Sequence, residues 1–403
     1  MNIITNGICA AKGFKGAGIH CGIRKNRSKK DLALIVSEKK ASVACVYTTN
    51  LVKGAPIYVT KKNVADGYAQ AIICNSGNAN TCNANGQEIA KKMCELVAKE
   101  LKISSEDIIV ASTGVIGEPL NIKPIEDNIN VLVDSLGYDS SSVAHAIMTT
   151  DLVEKEIAVS FEISGVTCRL GGVAKGSGMI NPNMATMLVF LTTDVNIETE
   201  LLQKALLDAT NDTFNMVSVD GDTSTNDMVS ILANGMADNK KIGVCDSDYK
   251  TFFNALVYVM THLSKAIAKD GEGATKLLEC NVVNAPTIEI ARIIAKKVIS
   301  SSLVKTAMFG SDANWGRILC AIGYSGVDVE IGLIEVKFES SKGEILVCQN
   351  GAGVHFDEAI AKTILQEDYI KINISLNQGD KKATAWGCDL TYDYVKINGD
   401  YRS

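Results

Sequence analysis

Apolar positions along the chain follow two different spacings, and each spacing predicts one kind of secondary structure. Short apolar runs of strand length lie at residues 31–36, 41–47, 69–74, 108–111, 157–163, 166–170, 187–191, 277–283, 333–338, 345–348 and 370–374. Apolar residues three or four positions apart lie near residues 89–101, 140–148, 201–206, 251–269, 290–298 and 358. The first spacing is typical of strands and the second of amphipathic helices. Because runs of both kinds follow one another without an internal repeat, the pattern predicts a compact α/β fold.

Loops rich in glycine, asparagine or acidic residues separate these runs. We expect residues 12–18 to be a glycine-rich loop and residues 309–317 to be a polar loop. Residues 75–86 carry an asparagine at every second or third position. Asparagine hydrogen-bonds its own backbone, so a packed turn explains this loop, and a polar wall for a small zwitterionic ligand is the functional alternative. The acidic residues 220–222 lack the ligand spacing of a calcium loop.

One loop, residues 175–186, runs directly into a predicted core strand and places Thr186 after the small residue Ala185. A tight turn there can present the Ala185 carbonyl to the Thr186 hydroxyl, which permits an N-to-O acyl shift and then hydrolysis. Thr186 would begin a new chain, and its free α-amine would act as base for its own hydroxyl. A threonine at the start of a core strand is also an ordinary structural feature, and this loop alone favours that interpretation.

Two further loops carry candidate chemistry. The strand at residues 108–111 continues into Ser112, Thr113 and Gly114. Such a strand end can direct a backbone N–H and a threonine hydroxyl towards one point, as an oxyanion site requires, although a glycine turn is the simpler interpretation. Glu272 lies between two glycines after the longest predicted helix. Its carboxylate is either an exposed binding group or part of an ordinary helix end.

Composition excludes several classes of function. The 403 residues are 46% hydrophobic and 21% charged, with a net charge of −6, which suits a soluble protein of about two or three domains. No basic block and no apolar stretch of ~20 residues is present, so we expect neither nucleic acid nor a membrane as partner. The 12 cysteines form no Cys-x-x-Cys pair, and the four histidines lack metal-ligand spacing. With no signal-peptide pattern at the amino terminus, these features predict a cytoplasmic protein without a metal.

Taken together and in this order, the loops resemble the glutamate N-acetyltransferase family of arginine biosynthesis, also called ornithine acetyltransferase. The matching motifs are Asn75-Ser-Gly-Asn-Ala-Asn80, Ser112-Thr-Gly114, Lys175-Gly-Ser-Gly-Met-Ile180, Asn183-Met-Ala-Thr-Met-Leu188, Asp220-Gly-Asp222, Gly271-Glu-Gly273, Asn314-Trp-Gly-Arg317 and the terminal Tyr394 to Ser403. The resemblance covers essentially the whole chain. One departure is Ala313, where the family usually has proline; the change loosens a turn and removes no chemical group.

The resemblance implies both a fold and a processed chain. The family's α/β fold has two β-sheets layered between helices, in the manner of N-terminal-nucleophile enzymes, and a smaller C-terminal α/β domain. In this sequence that domain would span about residues 281–403. Cleavage between Ala185 and Thr186 would give an α chain, residues 1–185, and a β chain, residues 186–403. The two chains would assemble as α2β2 or a larger oligomer.

The resemblance also implies a reaction, in which the acetyl group of N2-acetylornithine passes to glutamate by a ping-pong mechanism through acetyl-Thr186. Thr113 and Gly114 would be the oxyanion donors. The implied substrate contacts are Thr149 (or its neighbour Thr150), Lys175, Thr186, Glu272, Asn398 and Ser403. An ammonium and a carboxylate suit the α-carboxylate and the distal amine of ornithine. No cofactor is implied, and the use of acetyl-CoA as a second donor stays open because no nucleotide site is readable in the sequence.

Two other interpretations compete with this one. An N-terminal-threonine amidohydrolase or aminopeptidase would use the same Thr186 but pass the acyl group to water. A non-catalytic amino-acid-binding protein would keep the loops and never cleave. Lys175, Glu272 and Asn398 favour a charged amino-acid acceptor over a peptide, and cleavage of the chain separates an enzyme from a binding protein.

Overall fold

Two mixed β-sheets form the framework of the protein, one in each of two compact units. The computed structural model describes residues 1–26, 28–181 and 187–399. The first unit comprises residues 1–176, 183–211 and 223–263, and the second comprises residues 177–182, 212–222 and 264–403. The predicted α/β class with two sheets is therefore confirmed. The predicted division at residues 185 and 186 is a covalent one, which the units do not address, and it stays a prediction, as does the domain from about residue 281.

The strands and helices of the described residues are numbered in chain order. The strands are β1 (Asn2–Ile4), β2 (Phe14–Ile19), β3 (Leu32–Tyr47), β4 (Tyr68–Asn75), β5 (Ile108–Ser112), β6 (Lys155–Ile163), β7 (Val166–Lys175), β8 (Leu188–Thr193), β9 (Val217–Ser218), β10 (Met228–Ala233), β11 (Leu277–Ala285), β12 (Glu335–Ser340), β13 (Gly343–Gln349), β14 (Ala352–Gly353), β15 (Tyr369–Ser375) and β16 (Lys381–Cys388). The α-helices are α1 (Ala55–Asn63), α2 (Gly86–Leu101), α3 (Lys123–Asp134), α4 (Ser140–Ile147), α5 (Thr199–Asp212), α6 (Ser247–Lys269), α7 (Ile288–Ser300), α8 (Ser302–Phe309), α9 (Trp315–Gly323), α10 (Glu358–Leu365) and α11 (Tyr392–Gly399).

The first unit contains a nine-stranded sheet in the order β1-β6-β7-β8-β10-β3-β4-β5, with β2 also paired to β3. Successive residues of a strand face opposite sides of a sheet. Accordingly, Ala33 and Ile35 of β3 belong to one apolar cluster, together with residues of α4. Leu32 and Leu34 belong to a second cluster, together with residues of α2 and α3. Both faces of this sheet are therefore covered by apolar packing.

The second unit contains a seven-stranded sheet in the order β14-β13-β12-β15-β11-β16-β9. Helix α7 packs against β11 and β16. Its apolar stripe includes Ile294 and Val298, which are fully buried, as are Leu278 and Cys280 of β11. No helix in the described parts of either unit is both long enough and apolar enough to cross a bilayer.

Strand β8, which follows the predicted cleavage site, lies in the middle of the first sheet. Leu188 pairs with Lys175 of antiparallel β7 on one side and with Met228 of parallel β10 on the other. The Met228 N–H also donates a hydrogen bond to the Met187 carbonyl oxygen at 2.9 Å. All six residues of β8 are buried. The predicted strand at residues 187–191 is confirmed, and it is held by backbone bonds on both sides.

Two of the predicted strands, residues 31–36 and 41–47, are in fact one strand, β3. The prediction of a break was wrong because residues 38–40 are charged and exposed, which looks like a turn in the sequence. The strand continues through them with a shift of register against β4 between Val36 and Ala41. The first half of β3 pairs with β2 and β4, and the second half pairs with β10.

The predicted glycine-rich loop at residues 12–18 is also wrong, because most of it is strand β2. Helix α4 lies directly against this strand. A Cβ atom on Gly18 would lie 2.0 Å from the Ser142 carbonyl oxygen, and one on Gly16 would lie 2.6 Å from Val143 Cγ2. These glycines therefore permit the close approach of a helix rather than a turn of the chain.

The predicted polar loop at residues 309–317 is only partly a loop. The side-chain oxygen of Asn314 accepts a hydrogen bond from the Arg317 N–H at 3.3 Å. This bond caps helix α9, which begins at Trp315 and includes Arg317. The last three residues of the predicted loop thus form the first turn of a helix, and asparagine is a preferred residue at such a cap.

We expect Gly18→Ala to destabilise the protein by about 1–3 kcal/mol, because the added methyl group meets backbone atoms of α4 that cannot move aside easily. Gly137→Ala is the matched control in the same unit, since the nearest atom to its added Cβ would be the Ser135 carbonyl oxygen at 4.0 Å. Urea unfolding followed by circular dichroism measures both. Equal unfolding midpoints for the two variants would contradict the close approach of α4.

Candidate active site

The end of β5 leaves two hydrogen-bond donors unused. The Thr113 N–H donates to the Asn75 carbonyl oxygen at 2.9 Å, so only the Thr113 hydroxyl remains from that residue. Gly114 has a φ of +126°, and a Cβ atom on it would lie 2.8 Å from the Asn78 nitrogen, so only glycine fits. Within the described part of the chain, no acceptor pairs with the Gly114 N–H. The Thr113 hydroxyl and the Gly114 N–H are the two donors that an oxyanion would use.

Buried amide side chains hold this turn in place. Asn75 donates to the Ser112 hydroxyl at 2.6 Å and accepts from the Asn78 N–H at 3.0 Å. Asn226, in the loop before β10, donates to the carbonyl oxygens of Ser112 at 2.9 Å and Ala79 at 2.6 Å. The hydrogen-bond partners of these amide groups are other residues of the protein, which fits the packed-turn interpretation of the asparagine-rich loop. Asn226 was not singled out from the sequence, because its partners lie more than a hundred residues away.

Lys175 ends β7 with its side chain buried. Its Nζ lies 3.4 Å from the Thr113 Oγ1, and this is the one hydrogen bond that the described residues give it. Burial lowers the pKa of Lys175, and the charges of Asp151 and Asp227 oppose that shift. The structure thus brings together two predicted site residues, Thr113 and Lys175, through a hydrogen bond between their side chains.

Asp151, which the sequence reasoning missed, anchors two predicted substrate contacts. One carboxylate oxygen accepts from the Gly176 N–H at 2.8 Å and from Lys155 Nζ at 2.7 Å. The other accepts from the Thr149 N–H at 2.9 Å. Although burial disfavours the anion, the charges of Lys155 and Lys175 and these bonds hold the pKa of Asp151 well below its usual range. The Asp151 carboxylate therefore holds the backbone both at Thr149 and at Gly176, the residue after Lys175.

Asp227 is the second carboxyl group near Lys175, and it is fully buried at the start of β10. Its Oδ2 atom has no hydrogen-bond partner among the described residues. An ionised oxygen without a partner is costly in a buried site. Burial accordingly raises the pKa of Asp227 well above its usual value, and the hydroxyls of Ser224 and Thr48 and the charge of Lys175 oppose the shift only in part. Burial therefore favours the neutral acid of Asp227 over its carboxylate.

Two other predicted site residues meet in the second unit. The Asn398 side chain, on α11, donates to Glu272 Oε2 at 2.8 Å. The Glu272 N–H donates to the Ser177 carbonyl oxygen at 3.0 Å. The carboxyl group lies against Gly178, where a Cβ atom would be 2.4 Å from the Glu272 Cδ. Glu272 is buried, so its carboxylate is held in a fixed position by these neighbours.

Asp220 anchors the loop at residues 177–181. Its carboxylate oxygens accept from the N–H groups of Met179 at 2.6 Å and Ile180 at 2.8 Å. The acidic segment at residues 220–222, which lacks the ligand spacing of a calcium loop, thus binds backbone N–H groups through Asp220. Among the described residues, no cluster of three or more histidine, cysteine or acidic side chains is placed to hold a metal ion.

Three predicted site residues, Ala185, Thr186 and Ser403, lie outside the described residues, and their roles stay predictions. The catalytic and substrate-binding roles of the other predicted residues also stay predictions. The structure does show which of these residues lie in the same unit. Thr113, Gly114, Thr149 and Lys175 lie in the first unit, and Glu272 and Asn398 lie in the second.

Comparisons with known proteins were made with this geometry in hand. The profile of the ArgJ family matches residues 15–403. The arginine biosynthesis bifunctional protein ArgJ of Caldanaerobacter subterraneus is 51% identical, covering 100% of both chains. ArgJ 1 of Clostridium acetobutylicum is 50% identical over 97% of this chain and 96% of its own. A crystal structure of ArgJ from Bacillus halodurans is 47% identical, with a TM-score of 0.51, and covers 54% of this chain and 100% of its own.

The fold and these matches identify an acyltransferase of amino-acid biosynthesis. The chain belongs to the ArgJ family, whose members act in arginine biosynthesis. The resemblance inferred from the loop motifs is thereby confirmed.

The raised pKa of Asp227 predicts a specific dependence of stability on pH. The folded state keeps a proton that the unfolded carboxyl loses near 3.8, so the free energy of unfolding falls as pH rises from that value through the raised folded pKa. Asp227→Asn removes this dependence, so its stability relative to the wild type should increase with pH. Urea unfolding between pH 4 and pH 8 measures it, with the exposed Asp238→Asn as control. Parallel profiles for wild type and Asp227→Asn would show that Asp227 is ionised in the folded protein.

Proposed function

We propose that this enzyme transfers the acetyl group of N2-acetylornithine to glutamate through an acetyl ester on Thr186, after cutting its own chain between Ala185 and Thr186. The observation that carries the proposal is the turn at the end of β5. There the Thr113 O–H and the Gly114 N–H donate to no acceptor among the described residues, and the Thr113 oxygen accepts a hydrogen bond from Lys175 Nζ at 3.4 Å. Two donors beside a fixed cation suit the oxyanion of acyl transfer to or from an anionic amino acid.

The length of a solved relative supports the cleavage. The Bacillus halodurans chain is matched along its entire length and covers 54% of this chain. Residues 186–403 also make up about 54% of the 403 residues. A cut before Thr186 would leave a chain of that size.

The first sheet suits a cut chain, because its strands would come from both products. Strands β1 to β7 precede residue 185, whereas β8 and β10 follow residue 186. The ladders between β7 and β8 and between β10 and β3 would therefore join the two chains. We expect the products to stay associated without the peptide bond. Assembly of two such pairs into α2β2 is part of the same proposal.

The reaction proceeds in two halves. The Thr186 Oγ attacks the acetyl carbon of N2-acetylornithine while its proton passes to the free α-amine of Thr186. The Thr113 hydroxyl and the Gly114 N–H bind the oxyanion that forms. When the C–N bond breaks, the α-ammonium returns the proton to the departing nitrogen, and ornithine leaves. The amine of glutamate then attacks the ester, and the same steps in reverse give N-acetylglutamate and free Thr186.

Charge and hydrogen bonding suggest how substrates are recognised. Lys175 suits the α-carboxylate that N2-acetylornithine and glutamate share. Glu272 suits the distal ammonium of ornithine, and the Asn398 amide orients its carboxylate at 2.8 Å. Glu272 should hold glutamate less strongly, because glutamate has no distal ammonium. The relatives are named bifunctional, and we propose acetyl-CoA as a second acetyl donor to glutamate.

Thr186→Val should yield one uncut chain and no transfer, since both the acyl shift and the nucleophile require the hydroxyl. Intact-mass analysis measures cleavage, and chromatography measures N-acetylglutamate formed from N2-acetylornithine and glutamate. Thr363→Val is the control, because Thr363 is an exposed residue of α10. Wild-type protein that is uncut yet active, or that releases acetate without making N-acetylglutamate, would contradict the proposal. The second result would identify an amidohydrolase. Replacing N2-acetylornithine with acetyl-CoA tests the second donor.

Thr113→Val should lower kcat by about 10²–10³-fold, as expected for loss of one oxyanion donor. Thr113→Ser keeps a hydroxyl and should retain most of the turnover. The rates are referred to the cut fraction, determined by intact mass, so that slow cleavage is not mistaken for slow transfer. A Thr113→Val enzyme with kcat within threefold of the wild type would remove this residue from the oxyanion site.

A further inference from the structure

Lys175 lies close enough to two carboxyl groups, Asp151 and Asp227, for both charges to influence it. Either group could in principle neutralise the ammonium that the proposed function assigns to the substrate carboxylate. Among the described residues, however, Lys175 forms no ion pair with either of them, and its one hydrogen bond goes to Thr113. A different feature keeps Lys175 from forming an ion pair with each of the two acids.

Asp151 already forms an ion pair with another lysine, Lys155. Lys155 Nζ lies 2.7 Å from Asp151 Oδ1, and both side chains of this pair are fully buried. The carboxylate also accepts hydrogen bonds from the N–H groups of Gly176 and Thr149 and, at 3.5 Å, from the Thr149 hydroxyl. Each oxygen therefore has a short bond to a donor other than Lys175. A buried ion pair with additional hydrogen bonds of this kind keeps both partners in one geometry.

The surroundings of Asp227 weaken it as a competitor for an ion pair with Lys175. It is buried at the start of β10, and its Oδ2 has no partner in the part of the chain that the structure describes. Burial disfavours the anion of a carboxyl group whose oxygen lacks a partner, which weakens Asp227 as a competitor for Lys175. Asp151 is therefore the carboxylate whose other bonds decide whether Lys175 stays available for a substrate.

We propose that Lys155 is a positioning residue that keeps Lys175 available for the substrate, because it satisfies Asp151 and so prevents that carboxylate from drawing the Lys175 ammonium away from the α-carboxylate of N2-acetylornithine or glutamate. The inference rests on the proposed function, in which Lys175 binds that group. It assigns a role in substrate binding to a residue that does not itself contact substrate.

Removing the Lys155 charge should have a specific consequence. In Lys155→Met, Asp151 keeps its two backbone donors but loses its cation, and Lys175 is the other cation whose charge acts most strongly on it. Lys175 would then turn towards Asp151. Because both substrates carry an α-carboxylate, both KM values should rise together. Thr113 would lose only the long hydrogen bond of 3.4 Å from Lys175, and its O–H would remain as a donor, so kcat should change less than KM.

The test is steady-state kinetics of acetyl transfer with Lys155→Met, Lys155→Arg and the double variant Asp151→Asn/Lys155→Met. We expect Lys155→Met to raise KM for both substrates about tenfold or more with kcat within about threefold, a pattern that reports lost binding rather than lost chemistry. Lys155→Arg keeps the charge and should stay near the wild type. The double variant removes the competing charge as well, while its amide oxygen can still accept from one of the two backbone N–H groups, so its KM values should fall part of the way from those of Lys155→Met towards those of the wild type.

Removing both charges of this buried pair can also restore a fold that one unpaired charge has weakened. The role is therefore separated from a purely structural one by the KM of the folded enzyme: a structural defect lowers the concentration of active enzyme and leaves KM unchanged, whereas the loss of Lys175 raises KM. Unchanged KM values in Lys155→Met, or a double variant at least as impaired as the single one, would overturn the inference. If Lys155→Met does not fold, Lys155→Gln gives the same test, because it keeps an N–H donor for Asp151 without the charge. A wild-type enzyme without acetyl transfer would instead defeat the proposed function, so the two failures are distinguishable.

Discussion

The backbone hydrogen bonds on the two sides of β8 are the constraint on which the rest of the structure depends. This strand follows directly after the residues at which the chain is proposed to be cut, and it is fixed between β7 and β10 along its length. Because these bonds involve the backbone beyond the cleavage point, breaking one peptide bond before Met187 removes none of them. The fold can therefore tolerate a new chain end before β8 without losing a strand. A break within most buried strands would instead remove hydrogen bonds of the sheet.

Around this strand, polar groups are held by other buried polar groups rather than by solvent. Asn75 and Asn226 fix the turn that follows β5, and Asp151 fixes the backbone at Thr149 and Gly176. These bonds are 2.6 to 2.9 Å long and are buried or partly buried, so a group that loses its partner costs free energy. The same organisation explains why Lys175 has no carboxylate partner among the residues that the structure describes. Asp151 is paired with Lys155, and burial disfavours the charged form of Asp227.

Much of the fold could be predicted from the sequence, because burial leaves a periodic pattern. Strand β8 and helix α6 were read from apolar spacing alone, and the structure confirms them. Helix α1 was missed because its residues lack a clear apolar stripe, and β16 was missed because lysines and threonine interrupt its apolar positions. Strand β3 was divided at its exposed charges. In each case the tertiary pairing outweighed the local signal.

The candidate site was predictable in part for a related reason. Lys175, Glu272 and Asn398 belong to motifs that are contiguous in the sequence, so the resemblance included them. Asn226 was not predicted, because its partners are more than a hundred residues away in the chain. Asp151 was not predicted although Thr149 and Lys155 are close to it in the sequence, because nothing in their spacing shows that the three groups are buried and bonded together. Spacing along a sequence reports periodic burial well, but it contains little information about single long-range hydrogen bonds.

The unbroken course of β3 has a consequence for how the first unit opens. One half of this strand is bonded to β2 and β4, and the other half is bonded to β10. A strand shared in this way cannot release one set of neighbours without straining the other, so the two halves of the sheet form one cooperative block rather than two foldons. We therefore expect the amide protons of the paired residues of β3 to exchange only when the whole block opens, whereas the exposed residues 38–40 lie between the paired segments and are not protected in this way.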